Sequence, residues 1–240
     1  MTGGWGRQVV DVVRAALIDK VERDHRQPDT EFLRRRIVVA VTLVLGTALL
    51  AWSFSTAPGD AAFYPLTFGL AATWLLGSVA SGPLHLGHIE FRGVLRRPIL
   101  VPIAIGVALS AVFVLGALIA RTIPPLARYV AAVLDYAQSG NLALILVIAI
   151  VNGIAEEVFF RGALYAAIGV RYPVTISTIV YTLTTIAGGN PILVLAAAIL
   201  GTVVGLQRRA GGGILAPALT HITWSTIMLF TLQPIFAGVS

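Results

Sequence analysis

Cysteine is absent from the 240 residues, which excludes disulfides, Cys-ligated zinc and thiol catalysis. Charge is scarce: Asp, Glu, Lys and Arg make up 12% of the chain, where soluble domains carry about 25%. That deficit excludes a single water-soluble domain. Lysine is nearly missing, and sixteen of the 17 basic residues are Arg. What the chain has in abundance is apolar. Hydrophobic residues reach 57% and the mean hydropathy is +0.88, far too high for disorder. The formal charge of +6 would suit nucleic acid on a soluble protein. Here the arginines lie between apolar runs, as orientation signals of a membrane protein do, and no nucleic-acid partner is expected.

Residues 1–36 hold most of the polar character. Trp5, Val9, Val12, Val13, Ala16, Leu17 and Val21 recur at helical spacing, with Asp11, Arg14, Lys20, Glu22 and Arg23 elsewhere on the wheel. This predicts an amphipathic helix on the membrane surface. Charge interrupts the apolar run and no basic stretch precedes it, so it does not read as a signal peptide. His25-Arg26-Gln27-Pro28 breaks the helix and Arg34-Arg35-Arg36 closes the segment.

A span needs about 20 apolar residues. Residues 37–54, 62–81, 98–120, 142–167, 173–187, 192–206 and 213–236 meet or approach that length. Residues 121–139 begin with Pro124-Pro125 and carry Arg128 and Asp135, so they are either interfacial or a short eighth span. The expected fold is all-α: a polytopic transmembrane bundle of seven to eight spans with an N-terminal amphipathic surface helix. Its parts are a cytoplasmic segment (1–36), N-terminal membrane helices (37–140) and a membrane core (141–240). Arg-bearing segments at 1–36, 83–97, Arg171 and Arg208-Arg209 alternate with Arg-free turns at 55–61 and 188–191. That alternation predicts a multi-pass cell-membrane protein with a cytoplasmic N-terminus. Arg121 and Arg128 are the exceptions, on the outer side. No internal repeat is visible.

Ionisable residues inside a span point to function. The 142–167 run contains Asn152, Glu156, Glu157 and Arg161. Glu157 and Arg161 are four apart with the acid first, the favourable order for an ion pair. Glu156 points about 100° away, on the stripe of Asn152. Glu157 therefore reads as structural and Glu156 as free for chemistry; the alternative is one salt-bridge cluster that locks helices together. The last span places His221 and Ser225 on one face. A histidine there relays protons, binds a metal, donates to an oxyanion, or simply bonds a neighbouring helix. By helical rise, Glu156 and His221 lie at depths that let them share one cavity. Glu156 would then deprotonate water, and His221 would support the oxygen made negative by attack on an amide.

Glu156-Glu157-x-x-x-Arg161, followed by Pro217-x-x-x-His221, resembles the CPBP family, the CAAX-protease and bacteriocin-processing (Abi) intramembrane peptidases. The likeness covers about 142–230. It implies a multi-helix α bundle and an intramembrane endopeptidase acting on a membrane-associated or CAAX-type substrate, or an immunity-type relative without catalysis. It also implies that Glu156 is the catalytic acid, with His221 in the third motif and Glu157 and Arg161 in support. The second motif is usually Phe-x-x-x-His. Here it is Tyr181-x-x-x-Thr185, and Ser225 stands where Asn or Asp is common. Thr185 binds zinc poorly and carries no proton near neutrality. Glu156 and His221 alone leave a catalytic zinc site one ligand short, so no cofactor is expected and zinc is disfavoured.

Other signals are weaker. His85-x-x-His88-x-Glu90 lacks the zinc-helix pattern and reads as a solvated loop. Gly201-x-x-x-Gly205 reads as packing inside the bundle. Trp5, Trp52, Trp74 and Trp224 read as interface anchors or packing. Arg34–Arg36 attracts anionic lipid, and Gly211-Gly212-Gly213 is a flexible turn.

Overall fold

The computed structural model describes residues 10–19, 27–91 and 94–238. Trp5, Val9, Lys20, Val21, Glu22, Arg23, His25, Arg26 and Arg92 lie outside the described residues. Helices follow the apolar runs: α1 (Asp29–Ser55), α2 (Phe63–Ser81), α3 (Leu100–Ala120), α4 (Pro124–Gln138), α5 (Leu142–Ile168), α6 (Pro173–Ile186), α7 (Pro191–Gly211) and α8 (Leu215–Ile235). Proline opens α4, α6 and α7, where its missing N–H costs nothing. Asn141 and Asn190 cap α5 and α7, accepting from Leu144 N at 3.1 Å and Ile192 N at 2.9 Å.

Among the described residues, six helices (α1, α2, α3, α5, α7 and α8) are long and apolar enough to cross a membrane. The expectation of seven to eight is thus not met on length. The 173–187 run yields the 14-residue α6. The 121–139 segment yields α4, whose Ala127, Val130, Leu134 and Ala137 are buried while Arg128 and Asp135 stay exposed. That is the stripe of an amphipathic helix. The basic 83–97 loop also holds a small hairpin of β1 (Ile89–Phe91) and β2 (Val94–Arg96), antiparallel, with Ile89 opposite Arg96.

Hydrogen bonds sort the helix ends into two groups. At one end Arg34 Nη2 donates to Ala80 O (3.3 Å), Arg36 Nε to Ala167 O (3.1 Å) and His88 N to Gly211 O (2.9 Å). At the other, Tyr136 Oη donates to Thr56 O (2.7 Å) and Asn190 Nδ2 to Tyr129 O (2.8 Å). The arginine triplet lies inside the first turns of α1 instead of ahead of a span. Arg35 is buried there, donating to Gln27 Oε1 (3.2 Å) and Pro83 O (3.3 Å), so it ties α1 to the end of α2.

The N-terminal segment is helical over 10–18, with π pitch at Arg14–Ile18. It docks on the protein: Ala16 is buried, and Arg209 Nη2 donates to Leu17 O and Ile18 O at 3.3 Å. Val10, Val13 and Ile18 remain exposed. Across the bundle, large apolar side chains such as Val44, Leu76, Val79, Leu115 and Ile119 face outward, a surface suited to lipid. The interior is centred on Trp74, whose ring lies 4.5 Å from Phe159 and 5.3 Å from Phe160 by centroid. Ala155, Ala163 and Tyr181 complete this cluster and bind α2, α5 and α6 together.

Gly211 at the end of α7 and Gly212-Gly213 after it form a packed joint, not a loose turn. Ile214 N donates to His85 O (2.9 Å) and Leu215 N to Leu86 O (3.0 Å). Gly87 has φ +88°, and a Cβ on Gly213 would collide with the backbone of Leu86 and Gly87. Backbone meets backbone here, so nothing flexible can yield. Gly213→Ala is expected to cost about 1–3 kcal/mol and to lower the unfolding midpoint by about 2–10 °C in detergent. Scanning fluorimetry checks this, and an unchanged midpoint would mean the joint tolerates a methyl group.

Candidate active site

α5 supplies the acids. It is α-helical over Leu142–Glu157, then π-helical over Val158–Leu164. The wider turn therefore follows Glu156-Glu157 directly and carries Arg161. Such segments are rare and recur at functional sites. No proline marks the switch in the sequence; it coincides with Phe159 and Phe160 packing on Trp74.

Glu157 and Arg161 are fully buried. Arg161 Nη1 donates to Glu157 Oε1 at 3.1 Å, the ion pair expected from their spacing. Arg161 Nη2 donates to Gly201 O (3.2 Å) in α7, and the guanidinium lies 4.5 Å above the Tyr181 ring of α6. Arg208 Nε donates to the Arg161 carbonyl at 2.5 Å. One arginine thus joins α5, α6 and α7. Gly201 makes this possible, because a Cβ there would lie 3.0 Å from Arg161 Nη2 and 3.1 Å from Tyr181 Cδ1. A Cβ on Gly205 would lie 3.1 Å from Val174 Cγ1. The Gly201-x-x-x-Gly205 pair accordingly packs α7 on α6 within one chain.

Each acid has a partner that the sequence did not assign to it. His221 Nδ1 is hydrogen-bonded to Glu157 Oε1 at 2.9 Å, the acid that the sequence paired with Arg161 alone. A carboxylate only accepts, so Nδ1 carries the hydrogen. The ring's seat explains the choice. It lies over Gly153, where an added Cβ would be 3.5 Å from Cδ2. Gly153 is one turn before Glu157 on the same face, so the imidazole meets Glu157.

Glu156 points toward α6. There Tyr181 Oη donates to Glu156 Oε2 at 2.7 Å. Glu156 is therefore not an unpartnered acid, although it is only partly buried. The sequence marked Tyr181 as a motif aromatic and missed this bond. The available signal was that a buried phenol finds a partner. Thr185 Oγ1 donates to Tyr181 O, in its own helix, at 2.9 Å. Ser225 lies one turn beyond His221 and is partly exposed. Asn152 Nδ2 donates to Ile148 O at 3.1 Å. Among the described residues, no group of three or more His, Asp or Glu is placed to hold a metal ion. His88 instead joins the backbone pairing at the α7–α8 joint.

Residues 138–227 match the family described as Rce1-like, Type II CAAX prenyl endopeptidase Rce1-like. The match covers less than half of the chain, and the matched segment runs from the end of α4 into α8. It includes every residue of the site: Glu156, Glu157, Arg161, Tyr181, Thr185, His221 and Ser225. α1, α2 and α3 lie before it and wall the core. Curated proteins and solved structures gave no match to the chain.

Proposed function

We propose that this protein is an intramembrane endopeptidase that hydrolyses a peptide bond of a membrane-associated, CAAX-type substrate. Glu156 activates the water and His221 supports the oxyanion. The observation that carries the reading is the division between adjacent acids. Glu157 Oε1 is committed to Arg161 and His221, whereas Glu156 is bonded through Oε2 to a neutral phenol and is partly exposed.

The chemistry follows from that division. Glu156 takes a proton from water as the water oxygen attacks the amide carbon. With Nδ1–H given to Glu157, the Nε2 edge of His221 remains for substrate. When that edge carries a hydrogen, it donates to the tetrahedral oxyanion. Collapse breaks the C–N bond, and Glu156 returns its proton to the departing amine. Arg161 holds Glu157 in place. The reading includes no metal, because Glu157 already serves two cations or donors and Thr185 is a poor zinc ligand.

The same reading makes α6 a seventh, short crossing. The chain leaves α5 at the end where Arg36 bonds Ala167 and enters α7 at the end where Asn190 bonds Tyr129. α6 joins those two ends. The arginines at the α1, α2 and α7–α8 end put that end, and the N-terminus, in the cytoplasm of a cell-membrane protein. The exposed apolar residues of the N-terminal helix then face membrane lipid.

The test is cleavage of a prenylated CAAX-terminated peptide by the full chain in proteoliposomes, with products identified by mass spectrometry. The wild type is expected to cut it, and His221→Ala to lose about 100- to 1000-fold. A wild type that cuts neither prenylated nor other membrane-anchored peptides would overturn the reading. A second reading, a non-catalytic scaffold or immunity-type relative, is favoured by Thr185 bonding its own helix where the family likeness expects His. On that reading, cellular complementation tolerates Glu156→Ala.

A further inference from the structure

We propose that Tyr181 is the positioning residue for Glu156. This rests on the peptidase reading above. The structure offers three independent reasons. First, Tyr181 Oη reaches Glu156 Oε2 at 2.7 Å, although the residues belong to different helices. Second, the ring that carries the hydroxyl is fixed on two sides. Phe160 packs at 4.8 Å by centroid and the Arg161 guanidinium lies 4.5 Å over the face. Third, α7 is cut back to glycine at position 201 where the ring passes, with a Cβ there falling 3.1 Å from Tyr181 Cδ1. Thr185, one turn further along α6, donates to the backbone of its own helix.

The consequence is directional. The phenol occupies one oxygen of the carboxylate, so the proton drawn from water goes to the other, Oε1. It also fixes the carboxylate's rotation about its last bond. Arg161 touches both Tyr181 and Glu157, so one cation sets the phenol that holds one acid and the charge that holds the other. Tyr181→Phe removes only the hydroxyl and keeps the ring under Arg161.

The experiment uses the full chain in proteoliposomes with the prenylated reporter peptide, as wild type, Glu156→Gln, Tyr181→Phe and the double variant. Tyr181→Phe is expected to lower kcat about 10- to 100-fold, the worth of a hydrogen bond to a charged group, with KM little changed. In the Glu156→Gln background the same substitution is expected to add nothing, because Tyr181 acts through that acid. Labelling of Glu156 by a hydrophobic carbodiimide, located by mass spectrometry, reads the same bond without activity. It is expected to rise several-fold in Tyr181→Phe. Wild-type kcat in Tyr181→Phe, or a further loss in the double variant, overturns the proposal while leaving the peptidase reading intact. An inactive wild type overturns the peptidase reading instead; unchanged labelling in Tyr181→Phe then shows separately that the phenol does not hold the acid.

Discussion

Arg161→Ala is expected to destabilise the fold by about 3–5 kcal/mol, the range for removing one partner of a buried ion pair. Several losses add. Glu157 would keep only His221 as partner in a fully buried site. Gly201 O would lose its guanidinium donor, and Tyr181 would lose the cation above its ring. Thermal unfolding in detergent, or resistance to denaturing detergent, measures the loss. Replacing both members, as Glu157→Leu with Arg161→Leu, is expected to recover part of the stability, because no charge is then left uncompensated. That double variant is still expected to be inactive, since His221 has lost the carboxylate that fixes its ring. A double variant no more stable than Arg161→Ala would show that packing, not charge, dominates the cluster.

Glu156→Gln is expected to have the opposite profile: folding kept, chemistry lost. The amide has nearly the same shape, and its oxygen still accepts from Tyr181. It cannot take a proton from water. General-base catalysis is worth about 10²–10⁴-fold, and cleavage is expected to fall by that factor. Glu157→Gln removes the counter-charge of Arg161 and the anchor of His221 together, so stability and rate are expected to fall in concert. The contrast between neighbouring positions separates a catalytic acid from a structural one.

Much of the membrane architecture was legible because length and hydropathy dictate it. Long apolar runs became α1, α2, α3, α5, α7 and α8, and the Pro-bounded 173–187 run became the short α6. The Glu157–Arg161 pair was legible because four-residue spacing fixes a helix face. Depth along the helices led to the expectation that Glu156 and His221 share a cavity; the bond in the structure joins His221 to Glu157. Which acid the imidazole meets was not legible. That depends on Gly153 admitting the ring over one face of α5, a relation between helices that no single run of sequence carries. Tyr181 was visible as a motif aromatic, but its bond to Glu156 depends on how α6 leans on α5 across Gly201. The π turn after Glu157 had no proline or glycine cluster to announce it. Burial of Arg35 and the backbone-on-backbone joint at Gly87 and Gly213 were hidden for a common reason. Arginine and glycine are ordinarily surface and loop residues, and only tertiary contact decides otherwise.

The proposed division of labour, in which Glu156 performs the chemistry and Glu157 holds the site together, is tested most directly by the single-turnover cleavage rate of Glu156→Gln in proteoliposomes, compared with wild type at equal amounts of folded protein. The expected result is a rate at least about 100-fold lower with an unfolding midpoint close to that of the wild type. Cleavage by Glu156→Gln at the wild-type rate would contradict it.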